Sequence, residues 1–395
     1  MNGVAVAASV QDQASAFEVR STRGRLRRFS SAFPKLPLLI RCVLARPGIR
    51  LDDVHILAGL EWLLRAQRMG GDRGYAHSFS FVDGWALPYP ETTGYLIPTL
   101  HQTYLRYRTP NLLESVISAT EWLYSIQRTD GSFADLHGNS QVFDTGQILI
   151  GLNYVAEHLQ DRRRDSAIRS AAEWLTRVQE PDGSFVRHAY RDRCHSYYSR
   201  VGATLIRAGR ILGLAALEEA GRRNLEWTLL QQSSTGYFAH MSFDEGPPFL
   251  HTMVYVMEGL LDGYELTRDQ RYLDAVLNFA GQLLHISSQR DHILRSQYRS
   301  DFSAADSGKC LAGLAQWAGV CFGLFATTGN VLYREEGCKN ICYVKSKQFF
   351  IKHEDVYGGL PGSAPVNGRY MAYSLPNWGL KFFIDALLLK SSLQV

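Results

Sequence analysis

The sequence predicts an all-α protein, an (α/α)6 toroid of six helical hairpins with an inner and an outer ring of helices. Three observations carry this expectation. A Trp-to-Gly motif recurs along the chain, apolar patterns of helical period come in two alternating kinds, and small residues collect in only one of them.

The motif is clearest from Glu121 to Phe133, E-W-L-Y-S-I-Q-R-T-D-G-S-F, and returns from Glu173 to Phe185 as E-W-L-T-R-V-Q-E-P-D-G-S-F. A spacing of roughly 52 residues is that of stacked supersecondary units. Looser copies run from Glu61 to Tyr75 and from Glu226 to Phe238. In each, the Trp can face the core while the Gln lies near the helix C-terminus, where its amide can bond orphan carbonyls. The Gly then ends the helix and an aromatic re-enters the core. Trp62, Trp122, Trp174 and Trp227 should therefore hold equivalent outer positions.

Residues 1–50 form a basic arm and residues 51–395 one toroid. Asp52 and Asp53 can cap a helix over Val54 to Arg68, and a long aromatic loop follows from Gly70 to Pro90. A second helix opens near Glu91, with Pro98 expected to bend it. Further inner helices open at Phe143-Asp144-Thr145-Gly146-Gln147, Ser196-Tyr197-Tyr198-Ser199-Arg200, Phe249-Leu250-His251, Ser303 to Cys310, and Ser374 to Trp378. The fifth and sixth outer helices are expected around Tyr272 to His285 and Val331 to Phe350. The second helix of each pair is apolar all round and rich in small residues, among them Gly151, Gly202, Gly259 and Gly313. Such helices are buried and pack closely, so they form the inner ring.

Composition is that of a globular protein, 46% hydrophobic and 20% charged. Nine of the Lys and Arg residues fall in residues 1–50 against Asp12 and Glu18, and the remainder is nearly neutral, so no basic face argues for nucleic acid. Residues 20–46, with Phe29 to Val43 at their centre, can lie on an anionic membrane surface; an arm packed across the toroid is the plainer reading. No run reaches the roughly 18 apolar residues of a membrane span, and the first residues lack a secretory pattern, so a cytoplasmic location is expected. The six cysteines are scattered and read as reduced, buried thiols, with no metal or cofactor expected.

The W-L-x3-Q-x3-G-S-F pattern resembles the QW-type repeats of terpenoid-cyclase and protein-prenyltransferase toroids, and the six-hairpin plan is similar to that of many glycan-active enzymes. Tyr89 to Tyr95, Phe143 to Gln147, Leu250-His251-Thr252 and Pro376 to Leu387 look like an uncharacterised bacterial toroid family associated with exopolysaccharide loci. The stretch HTMVYVMEGLLDGYELT distantly resembles the glucuronyl epimerase toroid.

In a two-ring toroid the openings of the inner helices gather at one mouth, each bringing free N–H groups. Candidate catalytic residues are therefore Glu91, Asp144, Tyr198, Arg200 and His251. Trp85, Gln147, Tyr197, Tyr255, Asp306 and Asn377 are candidates for substrate binding. Helix capping is the competing role for Glu91, Asp144 and Asp306, and His251 can be a satisfied core histidine.

Four functions fit this set. A glycan hydrolase of polysaccharide metabolism needs two carboxylates, which Glu91 and Asp144 supply some 5–10 Å apart. A uronic-acid lyase or C5-epimerase needs a base, an acid and a cation, the types offered by Tyr198, His251 and Arg200. A terpenoid cyclase or prenyltransferase needs an acidic cluster, D-x-D-D or D-D-x-x-D, or a zinc set, and neither acidic motif occurs. A non-catalytic glycan-binding or assembly protein would use the same aromatic cavity.

Overall fold

The computed structural model describes residues 35–45, 48–159, 165–289 and 293–395. Among these are thirteen α-helices: α1 (Leu36–Leu44), α2 (Asp52–Met69), α3 (Pro90–Tyr107), α4 (Pro110–Ile126), α5 (Val142–His158), α6 (Asp165–Val178), α7 (Ser199–Leu212), α8 (Ala215–Leu230), α9 (Leu250–Thr267), α10 (Gln270–Gln289), α11 (Leu311–Thr328), α12 (Val331–Lys345) and α13 (Asn377–Ser392). After α1 they alternate as expected. The odd-numbered helices from α3 to α13 form the inner ring, each against the next, and α13 returns to α3. The even-numbered helices form the outer ring.

Close approach in the inner ring depends on missing side chains. A Cβ on Gly94 of α3 would run into the α5 backbone at Ile148, and one on Gly151 of α5 would strike the carbonyl of Gly94. That carbonyl lacks the usual intrahelical partner, because Pro98 supplies no N–H. Gly259 and Gly313 likewise let α9 meet the start of α7, and α11 the start of α9.

Each outer helix packs most closely on the inner helix that precedes it, as α4 on α3, α8 on α7 and α12 on α11. Their connectors are short because Arg108, Gly213, Arg268 and Gly329 take the left-handed conformation that ends a helix abruptly. The connectors from outer to inner helix are long, and they form the layer over one end of the ring.

The motif glutamines tie this layer together. The amide Nε2 of Gln127 donates to Gly131 in its own loop and to Ala167 of α6; Gln179 does the same to Gly183 and Ala220, and Gln232 to Gly236 and Ala275. Gln67 bonds Arg73 and Ser115, and Gln348 bonds Gly358 and His55. Each of the five therefore bridges to the next outer helix, rather than capping its own. The glycines at 131 and 183 have φ of 95° and 92°, a turn that L side chains rarely adopt. At the α10–α12 contact a buried carboxylate takes over: Glu336 accepts from Ser287, Trp317 and Asn340.

Short strands close the ring. β1 (Ser78–Ser80) pairs with β2 (Gly84–Trp85) and, on its other side, with β5 (Ser374–Pro376), joining the first unit to the last. β3 (Lys309–Cys310) pairs with β4 (Ser363–Ala364).

Several expectations need correction. Asp52 and Asp53 lie inside the first turn of α2 and do not cap it; Asp52 accepts from Lys345 and Lys390, and Asp53 from Arg106 and Tyr107. The thiols are unpaired, but only Cys42, Cys310 and Cys321 are buried, while Cys342 is exposed. α11 is long and apolar enough to cross a membrane, yet most of it is buried in the ring. Of residues 20–46, 20–34 and 46 lie outside the described residues. The described α1 packs Leu38, Leu39 and Cys42 on the core and exposes Ile40, Val43 and Leu44.

Candidate active site

The openings of α3, α5, α7 and α9 bring Glu91, Asp144, Gln147, Arg200, His251 and Tyr255 into one polar cluster. Neither carboxylate of the first two helices is an N-cap: the caps are Tyr89 and Gln141, with no side-chain cap bond at either. Glu91 and Asp144 instead converge on one phenol. The Tyr89 hydroxyl donates to Asp144 Oδ2 at 3.1 Å and also interacts with Glu91. Two oxygens around one hydroxyl stand within about two hydrogen-bond lengths, roughly 6 Å.

Burial dominates the electrostatics. Glu91 is 9% exposed and Asp144 5%. Loss of water raises the Glu91 carboxyl to about 7, against the opposing pull of Tyr89 and Arg200. Asp144 is pushed well above the carboxylate range, by burial first and by the charge of Glu91 second. Two such groups do not both ionise readily, so the pair retains a proton near neutral pH.

Beside the pair runs a bonded chain. Arg200 gives its Nε hydrogen to Gln147 Oε1 at 2.8 Å, forms an ion pair with Glu258 through its terminal nitrogen, and lies over the Tyr255 ring at 4.7 Å. Gln316 donates to Glu258 at 3.3 Å, so its carbonyl accepts from Nδ1 of His251. The His251 ring sits 4.4 Å from Tyr255 and 5.3 Å from Tyr370, and burial depresses it to about 3. It is a neutral imidazole across the physiological range.

The remaining candidates make other contacts. Tyr198 stacks on Phe143, its hydroxyl accepts from the Tyr190 backbone, and the charges of Asp144 and Glu91 add to burial in raising it. Tyr197 packs between Phe143 and His195. Trp85 lies in the closing seam, against Trp62 and bonded to Asp355. Asp306 precedes α11 by several residues, since β3 intervenes, and it accepts from Ser296. The α11 cap is Cys310. Asn377 starts α13 but donates to Ala76 and Thr92, fastening the first loop.

The cluster is not an open mouth. The loop layer covers it, with Tyr370 set against Phe249 and His251. Two concavities lie to either side. One of about 550 Å³ is among the loops at His195, Tyr237 and His240. The other, about 340 Å³, is at the far end of the ring, lined by Tyr154, Arg207 and Asp262.

Glu258 and Tyr89 were not among the sequence candidates. Glu258 sits two turns inside α9, and the signal for it is a carboxylate within an otherwise apolar, inward-facing run.

The chain resembles proteins of both toroid groups. The family model of the squalene-hopene cyclase C-terminal domain matches residues 74–258, less than half of the 395. No curated protein matches by sequence. Among solved structures, an unsaturated glucuronyl hydrolase specific for heparin superposes with a TM-score of 0.71 at 14% identity, over 88% of this chain and 99% of that one. Cellobiose 2-epimerase from Bacillus thermoamylovorans B4167 gives 0.65 at 10%, over 84% and 97%. The unsaturated glucuronyl hydrolase of Bacillus sp. GL1 gives 0.66 at 13%, over 86% and 96%. At such identities the likeness is one of fold, and the fold is the α/α toroid.

Proposed function

We propose that the chain is a glycan-active enzyme of polysaccharide metabolism, a hydrolase whose acid and base are Asp144 and Glu91. The observation that carries the reading is the convergence of these two buried carboxyls on the Tyr89 hydroxyl. Glycoside hydrolysis needs one carboxyl that keeps its proton for the departing oxygen and one that is charged. Asp144, pushed up by burial and by the charge of Glu91, suits the acid; Glu91, nearer Arg200, suits the base or nucleophile. Tyr255, Tyr370, Phe143 and Phe382 supply the aromatic walls that sugar rings pack on. The hydrolases and epimerases with the same fold support a sugar substrate.

Incubation with acidic and neutral bacterial glycans in heavy water tests the reading. Hydrolysis creates new reducing ends without deuterium at C5, and Asp144→Asn should lower turnover by about 10²–10⁴-fold while the protein still melts normally. Exchange at C5, or an unsaturated product absorbing in the ultraviolet, would replace hydrolysis by epimerase or lyase chemistry. The low basicity of His251 weighs against that outcome.

The family-model match and the buried aromatic walls favour a second reading, a terpenoid cyclisation in which aromatic faces steady carbocations. Cyclic products from an acyclic isoprenoid would establish it, although the sequence carries neither acidic motif of that chemistry.

A further inference from the structure

We propose that the central cleft takes uncharged sugar residues and rejects uronates, and that Glu258 is the specificity-determining residue because it occupies Arg200. This deepens the reading of the cleft as a sugar site and rests on it. The first support is the inventory of charge on the inner helices. Arg200 is held by Glu258, Lys381 by Asp385 at 2.7 Å, and Arg207 by Glu157 at 2.9 Å. Glu91 and Asp144, which share the Tyr89 hydroxyl, form no ion pair of their own among the described residues. A sugar carboxylate arriving here would meet Glu91 and have to displace Glu258 from an arginine whose side chain is only 6% exposed. Like charge in a poorly solvated cleft is costly, and a partner already engaged offers no return.

The second support is an unused donor. Gln147 is fully buried, and Arg200 Nε has only a hydrogen to give, so Gln147 must turn its Oε1 toward Arg200. Its Nε2 is left without an acceptor. This amide stands one helical turn below Asp144, between the carboxylate pair and Arg200. A buried N–H without a partner is unfavourable, and a sugar hydroxyl or ring oxygen supplies the missing acceptor without bringing charge. Among the described residues of the inner helices, the cleft thus offers donors and acceptors to a neutral polyol, while Arg200, Lys381 and Arg207 are each already paired.

The test measures binding, not turnover, and so separates this proposal from the catalytic one. A glycan array of neutral and uronate oligosaccharides is probed at pH 8 with Asp144→Asn protein, followed by titration of cellotriose and its C6-oxidised glucuronate counterpart. Neutral glycans should bind at least tenfold more tightly than uronates. Glu258→Gln in the same background should release Arg200 and raise uronate affinity at least tenfold, and adding Arg200→Gln should remove that gain. Uronates as the tightest ligands of the Asp144→Asn protein, or no gain with Glu258→Gln, would overturn the assignment while leaving the hydrolase reading intact. Where Glu258→Gln does not fold, the neutral-to-uronate ratio decides alone. Binding with the expected ratio but no turnover by wild type would remove the hydrolase and leave this selectivity. An array on which nothing binds would remove both.

Discussion

Glu91 illustrates how a single buried acid trades stability for chemistry. Its unfolded carboxyl loses its proton near 4.5, whereas the folded one keeps it to about 7. Between these values the native state binds the extra proton, so stability falls as pH rises through this window and the loss is complete above it. The displacement corresponds to a penalty on the order of 3 kcal/mol at pH 8. Glu91→Gln should therefore melt several degrees above wild type at pH 8 and together with it below pH 4, while losing turnover. Equal melting curves at both pH values would show that Glu91 is not held in this state. The convergence of Glu91, Asp144, Gln147, Arg200, His251 and Tyr255 was legible in the sequence because each lies at an inner-helix opening. Position along the chain says nothing of rotation or of intervening strands, which is why Trp85 turned into the seam and Asp306 fell short of α11. Glu258 stayed hidden, since an apolar run reads as core and its partner Arg200 lies on another helix.

At the scale of elements, the motif that made the repeat visible holds neighbouring units together by main-chain bonds. Gln179 donates to Gly183 in its own loop and to Ala220 of α8, and accepts from Arg223 of α8. Gln179→Ala removes two hydrogen bonds, although Gly183 keeps Asn224 as a donor, and should cost about 2 kcal/mol in urea unfolding. A loss below about 0.5 kcal/mol would mean the amide merely fills space. The sequence showed that this Gln matters, yet its partner could not be read from one helix, because the acceptor belongs to the next unit. Gly94 bears on activity more directly. Since a Cβ there meets the backbone of Ile148, Gly94→Ala must push α3 away from α5. The cost should be roughly 1–3 kcal/mol, and turnover should fall further than stability because Glu91 and Asp144 ride on those two helices. Full activity in a folded Gly94→Ala protein would contradict the pairing of the carboxylates across this contact.

At the scale of the whole molecule, the array differs from an open solenoid in having no free end. An open stack unfolds from its termini, each repeat leaning on its neighbours alone. Here the last unit is bonded to the first: Gln348 reaches His55 and Gly358, the indole of Trp62 reaches Asp355, and Asp52 takes Lys345 and Lys390 at 2.6 and 2.7 Å. The β1–β5 pairing and Asn377 complete the seam on the loop side. Opening that seam should convert the ring into an open stack with two frayed ends. Gln348→Ala combined with Asp52→Ala would do so without touching the carboxylate pair, leaving the nearly buried Lys345 without its partner. Native-state hydrogen exchange should then show α2, α12 and α13 losing protection together, although α2 lies some 280 residues before α12 in sequence. The units around α6 to α9 should retain theirs. Loss confined to α12 would mean that the contacts are local decoration, and uniform loss everywhere would mean that the ring unfolds only as a whole; either result would displace the view that closure across this seam is what protects the first and last units.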